Sequence, residues 1–103
     1  MNRGEVYRVG GDRTVLIIQA DAITIAAPTV IALPVTTTTQ RAAWPLTIAL
    51  DPTPDLPGPA WVKATAPQTI ARSALTGPLA RLDAATMGQV DHAIVAVLGL
   101  ENL

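Results

Sequence analysis

Two residue types with phosphate chemistry stand at the ends of two apolar segments. A Gly10-Gly11-Asp12 turn leads into Arg13 and the apolar run 14–19, and a second segment runs out through Leu33-Pro34-Val35-Thr36-Thr37-Thr38-Thr39-Gln40. An arginine at the mouth of a strand offers fixed positive charge in a planar fork that matches phosphate oxygens. A threonine hydroxyl at the end of another strand is an orientable donor. Arg13 and Thr36 can therefore bracket a phosphodiester. The chain offers no rival set. It has one histidine, no cysteine and no pair of carboxylates spaced to converge, so a metal centre has no support and no cofactor is expected. Ser73 has no histidine partner for a hydrolase triad, and no Walker lysine follows Gly10-Gly11. The plainer alternatives are a solvated Arg13 paired with Asp12 and a merely β-prone run of threonines.

The elements that must position this pair follow from hydrophobic period and punctuation. Glu5–Val9 alternates polar and apolar residues as a half-buried strand does, and the Gly-Gly-Asp turn sends it into a hairpin with 14–19. Segment 29–35 is β-branched, 46–50 follows Pro45, and 61–64 and 76–82 supply two more short strands. Residues 51–59 hold four prolines and form a stiff surface loop. The period then changes. Asp83 is an N-cap, Gly99 a C-terminal stop, and Met87, Val90, Ile94, Val97 and Leu98 make one helical stripe between them. His92 falls away from that stripe and is assigned to solvent. Short strands and one terminal helix cannot form a parallel βαβ sheet. They predict a mainly β chain with a C-terminal α-helix (α+β), a small antiparallel SH3-like barrel capped by the helix.

Bulk composition agrees with a single domain over 1–103. The chain has 103 residues, half of them hydrophobic, enough for one core but not two. No apolar run approaches the ~20 residues of a membrane span, and Arg3, Glu5 and Arg8 interrupt any leader-like stretch, so a cytoplasmic protein with no membrane partner is expected. The net charge of −1 argues against a broadly basic nucleic-acid surface, so any such contact must be local. Gln40 and Arg41, beside Thr36, are plausible RNA contacts. Trp44 and Trp61 have the chemistry to stack bases. In a chain without phenylalanine both are expected instead in the core or at the barrel rim.

Several motifs, in order along nearly the whole chain, resemble the MazF/PemK (Kid) family of toxin endoribonucleases. Arg3-Gly4-Glu5-Val6-Tyr7 is similar to that family's first strand, Asp12-Arg13-Thr14-Val15-Leu16-Ile17-Ile18 to its second and Leu33-Pro34-Val35-Thr36-Thr37 to the end of its third. Farther on, Gly-Pro-Leu at 77–79, the helix and Leu98-Gly99-Leu100 resemble the family's closing strand, helix and Leu-Gly-Leu ending. The resemblance implies a homodimeric, metal-independent endoribonuclease toxin (an mRNA interferase) acting on single-stranded RNA and held in check by a cognate antitoxin. It implies attack by a ribose 2′-hydroxyl, leaving a 2′,3′-cyclic phosphate and a 5′-hydroxyl. By matching position it assigns catalysis to Arg13 and Thr36; around that pair, RNA contacts are expected from Gly11, Asp12, Thr37, Thr38, Gln40, Arg41 and Gln68.

Three departures accompany the resemblance. The first loop is short, Thr14 replaces a proline, and Thr65-Ala66-Pro67-Gln68 stands where the family has an acidic-Gln-Ile-Arg segment. The first two are expected to alter RNA choice. The third supports an alternative, a catalytically dead barrel kept as a binding module. A further alternative is a CcdB-type gyrase poison. That group uses a C-terminal tryptophan, whereas this chain ends Gly-Leu-Glu-Asn-Leu.

Overall fold

The computed structural model describes residues 1–100; residues 101–103, in the tail weighed above against a gyrase poison, lie outside that range. Strands β1 (Glu5–Val9), β2 (Arg13–Ile17), β3 (Thr29–Thr36), β4 (Thr47–Leu50), β5 (Ala60–Lys63), β6 (Gln68–Ala71) and β7 (Leu75–Arg81) form one antiparallel sheet. A short helix α1 (Asp21–Thr24) links β2 to β3, and α2 (Ala84–Leu98) follows β7. The order across the sheet is β4-β5-β3-β2-β1-β7, and β6 also pairs with β3. This is the expected fold class. The sheet is open, however: among the described residues no ladder joins β4 to β7.

Burial explains why alternation is weak in the middle strands. Val6, Leu16, Leu33, Val35, Ile48 and Val62 face α2, whereas Tyr7, Val15, Ile17, Val30, Ala32 and Ile70 fill a second, smaller core on the other face. A strand covered on both faces shows a continuous apolar run, as Val15-Leu16-Ile17 does. Each such side chain, fully buried, contributes about 1.5–3 kcal/mol of hydrophobic free energy.

The long strand β3 is shared. Its first half, Thr29 to Ala32, pairs with β6, and its last two residues, Val35 and Thr36, pair with β5. Sequence period did not separate β6, because only Ile70 of its four residues is buried and Pro67 precedes it. The strand begins at Gln68, the last residue of the segment 65–68 that departs from the family.

Both ends of α2 match the expected caps. The Asp83 carboxylate accepts from Thr86 N at 2.7 Å, and that bond holds its carboxyl below the ordinary value. At the other end Gly99 adopts φ 71°, Gly99 N donates to Ala96 O and Leu100 N donates to Val95 O. That is a Schellman closure, whose left-handed residue favours glycine. Val90 and Ala93 are fully buried, with Met87, Ile94 and Val97 packed around them. Leu98 ends the predicted stripe but is 58% exposed.

The amino-terminal residues fasten these parts together. Arg3 donates from Nε to Ile18 O at 2.7 Å and from Nη2 to Asp91 on α2 at 2.6 Å, while its backbone N–H donates to Asp21 on α1. Opposite Tyr7, β1 and β7 lose register, so that residues 77–79 stand across from one residue. Gly77 sits there at φ 146°, where an added Cβ would meet Leu79 N at 2.9 Å and the Tyr7 ring at 3.2 Å.

Candidate active site

Cross-strand register brings the two chosen residues together. Val9 pairs with Arg13, Thr14 with Val35, and Thr36 with Trp61, so Arg13 and Thr36 occupy adjacent places in one row across β1, β2, β3 and β5. Directly opposed residues in an antiparallel pair project to the same face. That face is the one away from α2, since Val15 and Ile17, alternating with Arg13, lie in the second core. The rigid strand ends therefore aim Arg13 and Thr36 into one groove. Its volume is about 270 Å³, and Asp12, Thr14, Pro34, Thr37 and Gln68 complete its walls.

Arg13 is exposed and carries no ion pair; the one salt bridge among the described residues joins Arg3 and Asp91. The expected alternative, an Arg13–Asp12 pair, is therefore not formed, although Asp12 lines the same groove. What holds the guanidinium is neutral: Nη2 donates to Gln68 Oε1 at 2.7 Å. Gln68 pairs with Ala32 on β3 and so shares the groove's face. A neutral orienting partner fixes the fork without cancelling its charge, which leaves that charge available to an anion.

The Thr36 hydroxyl oxygen accepts from Thr38 N at 3.1 Å. With its oxygen so engaged, the hydroxyl hydrogen is free to donate into the groove. Thr37 lines the groove, Thr38 is exposed beside it, and Gly11 lies in the exposed turn next to Asp12 without lining it. Gln40 and Arg41 are elsewhere. They line a second recess of about 320 Å³ with Trp44, Ala49, Trp61 and Gln89. Trp44 is 53% exposed, so it belongs to a rim and not to the core. Trp61 is half-buried, directly across from Thr36.

Proton transfer has few candidates in the groove. His92 is exposed on α2, as expected, and is not a lining residue. Asp12 is the one carboxylate that lines the groove. Among the described residues no three His, Cys, Asp or Glu side chains are grouped to hold a metal ion. The arrangement can bind a phosphate through a charged fork, and hydrogen-bond it from the opposite strand.

Comparison with known proteins identifies the family. Residues 3–98 match the family model of the PemK-like, MazF-like toxin of type II toxin-antitoxin systems. An endoribonuclease from a mycobacterial species, solved in complex with its cognate antitoxin, is 30% identical, superposes with a TM-score of 0.83, and is matched over 97% of this chain and 96% of its own. The Mycobacterium tuberculosis toxin MazF-mt6 shares the fold at 23% identity and a TM-score of 0.81, over 92% and 96% of the two chains. MazF of a MazE-MazF complex from Deinococcus radiodurans does so at 19% identity and 0.82, over 98% of each. No curated protein sequence matches the chain. A family match over nearly the whole chain, with a 30%-identical structure aligned end to end, establishes that this protein belongs to the PemK-like, MazF-like toxins of type II toxin-antitoxin systems.

Proposed function

We propose that this chain, one domain over 1–103, is a cytoplasmic endoribonuclease toxin that cuts single-stranded RNA and is blocked by a cognate antitoxin. The observation that carries the reading is the guanidinium of Arg13, charged, unpaired and oriented by Gln68, one strand away from the Thr36 hydroxyl. The 2′-oxygen of a ribose attacks the adjacent phosphorus, the bond to the 5′-oxygen of the next nucleotide breaks, that oxygen takes a proton from water, and a 2′,3′-cyclic phosphate and a 5′-hydroxyl result. Arg13 stabilises the negative charge that builds on the phosphorane oxygens, the role in which one preorganised donor contributes most. Thr36 donates to a phosphate oxygen and fixes the strand for in-line attack. Asp12 is the groove's candidate acceptor for the 2′ proton. Thr37, Thr38 and Gly11 contact the flanking backbone.

A homodimer fits the apolar surface away from the groove, where Ile18, Ile31, Pro67, Ile94 and Leu98 border a recess of about 230 Å³. Ile31 and Leu98 are 43% and 58% exposed.

The test replaces one atom. In an oligoribonucleotide that the protein cuts, the nucleotide 5′ of the scissile bond is changed to its 2′-deoxy form. Cutting at that bond is expected to stop while binding persists, because the 2′-hydroxyl is the group that separates RNA from DNA at a site. Continued cutting would make water the nucleophile and refute the mechanism.

A further inference from the structure

The row that holds Arg13 and Thr36 does not end there. Its next members are Trp61 on β5 and Ala49 on β4. We infer that Trp61 is a stacking platform for one base of the RNA strand, the base next to the cleaved phosphate. The inference rests on the ribonuclease reading for its ligand and on register for its geometry. Neighbouring strands lie about 4.8 Å apart, so the Trp61 backbone sits roughly 10 Å from that of Arg13 with Thr36 between them. A base joined through its sugar to a phosphate held by Arg13 covers that span.

The surroundings of Trp61 leave it open. Its row neighbours, Thr36 and Ala49, are small, and Ala49 is exposed. The chain between β3 and β4 must cross β5, because β5 lies between those two strands. Residues of that crossover, Gln40, Arg41 and Trp44, share the recess with Trp61, as do Ile48 of β4 and Gln89 of α2. Trp44 Nε1 donates to Gln89 O at 3.4 Å, and the Thr47 hydroxyl donates to Ala42 O, both of which tie the loop down. The result is a slot of about 320 Å³ between a strand and a fastened loop, and its Trp61 pairs directly with Thr36 of the phosphate groove. An aromatic floor takes any base through its π-face. Arg41, exposed and without an ion pair, is placed for the next phosphate, and the Gln40 amide for a base edge.

The test varies protein and substrate together. Trp61→Ala is expected to lower kcat/KM by about 5- to 150-fold, the usual loss for one base–aromatic stack, with KM carrying most of the change. Trp61→Phe should recover most of it. An abasic nucleotide scanned through the substrate should cost the wild-type protein a similar factor at one position flanking the cut. It should cost Trp61→Ala almost nothing there. Additive losses, or no sensitive position in wild-type protein, overturn the platform and leave the ribonuclease reading intact.

A second measurement does not need cleavage. In the Trp44→Phe protein Trp61 is the single tryptophan, and all-deoxy single strands, which lack the attacking hydroxyl, are expected to quench its emission saturably. If wild-type protein cuts no RNA, the ribonuclease reading fails by itself. Quenching then decides the platform: saturable quenching supports it and unchanged emission overturns it.

Discussion

Replacing Arg13 by alanine separates catalysis from folding more sharply than any other change in this molecule. The side chain is exposed, forms no ion pair and makes one side-chain hydrogen bond, to Gln68 at 2.7 Å. Exposed substitutions of this kind shift stability by about 0.5 kcal/mol or less. Removing one preorganised transition-state donor costs about 10²- to 10³-fold in rate, or about 2.7–4 kcal/mol. Arg13→Lys keeps the charge but loses the fork, so an intermediate rate is expected. The assay is single-turnover cutting of a defined RNA with mapped 5′ ends, paired with urea unfolding of each variant. Wild-type, lysine and alanine proteins should share one unfolding midpoint while their rates fall in that order. An alanine variant that cuts within threefold of wild type would refute the assignment. So would one whose lost activity tracked lost stability.

The remaining expectations test the site and the frame around it. Thr36→Ala should slow cleavage less than Arg13→Ala, about tenfold, and Thr36→Ser should restore most of the rate, as the same RNA assay will report. Cleavage should proceed in excess EDTA, given a groove whose donors to a cation are one carboxylate and neutral oxygens; restoration by a divalent ion after chelation would contradict it. Asp83 has a lowered native carboxyl pKa, so its cap is fully stabilising above the ordinary aspartate range of about 3.9 and is lost as pH falls through the lower native value. Thermal melts of Asp83→Ala and wild type should accordingly differ at neutral pH and converge in strong acid. Gly77→Ala, with its Cβ 2.9 Å from Leu79 N at a φ reserved for glycine, should destabilise by about 1–3 kcal/mol in a denaturant titration.

How much of this was legible in the sequence depended on how local the governing physics was. Strand β1 and helix α2 were readable because alternation, an Asp83 cap and a Gly99 stop act within a few residues. Arg13 and Thr36 were legible as chemistry, and the family resemblance pointed to them as a pair; their adjacency depends on the β2–β3 register, a tertiary fact. Strand β6 was missed because four residues with one buried side chain carry no period, and its partner is the first half of β3. The recess holding Gln40 and Arg41 was also out of reach. It exists because the connection from β3 to β4 crosses β5, and nothing in residues 37–46 signals which face that crossing takes. Trp61 was discounted on composition, a statistic that cannot tell a strand's inner face from its groove face.

Strand β1 lies inside the sheet, between β2 and β7, although β7 is the last strand made. At about 5–20 residues per second, a translating ribosome takes several seconds to pass from β1 to β7, and longer to release α2, on which Arg3 closes. Until then the nascent chain has one edge of β1 unpaired and its larger core uncovered. Long-range closure of this kind is slow in its own right. A toxin built this way matures after synthesis, which gives an inhibitor made on the same timescale a window to arrive before the sheet and its larger core are complete. Ribosome-stalled chains ending before residue 75 should accordingly show no protection of the β1 amides that face β7, and no RNA cutting.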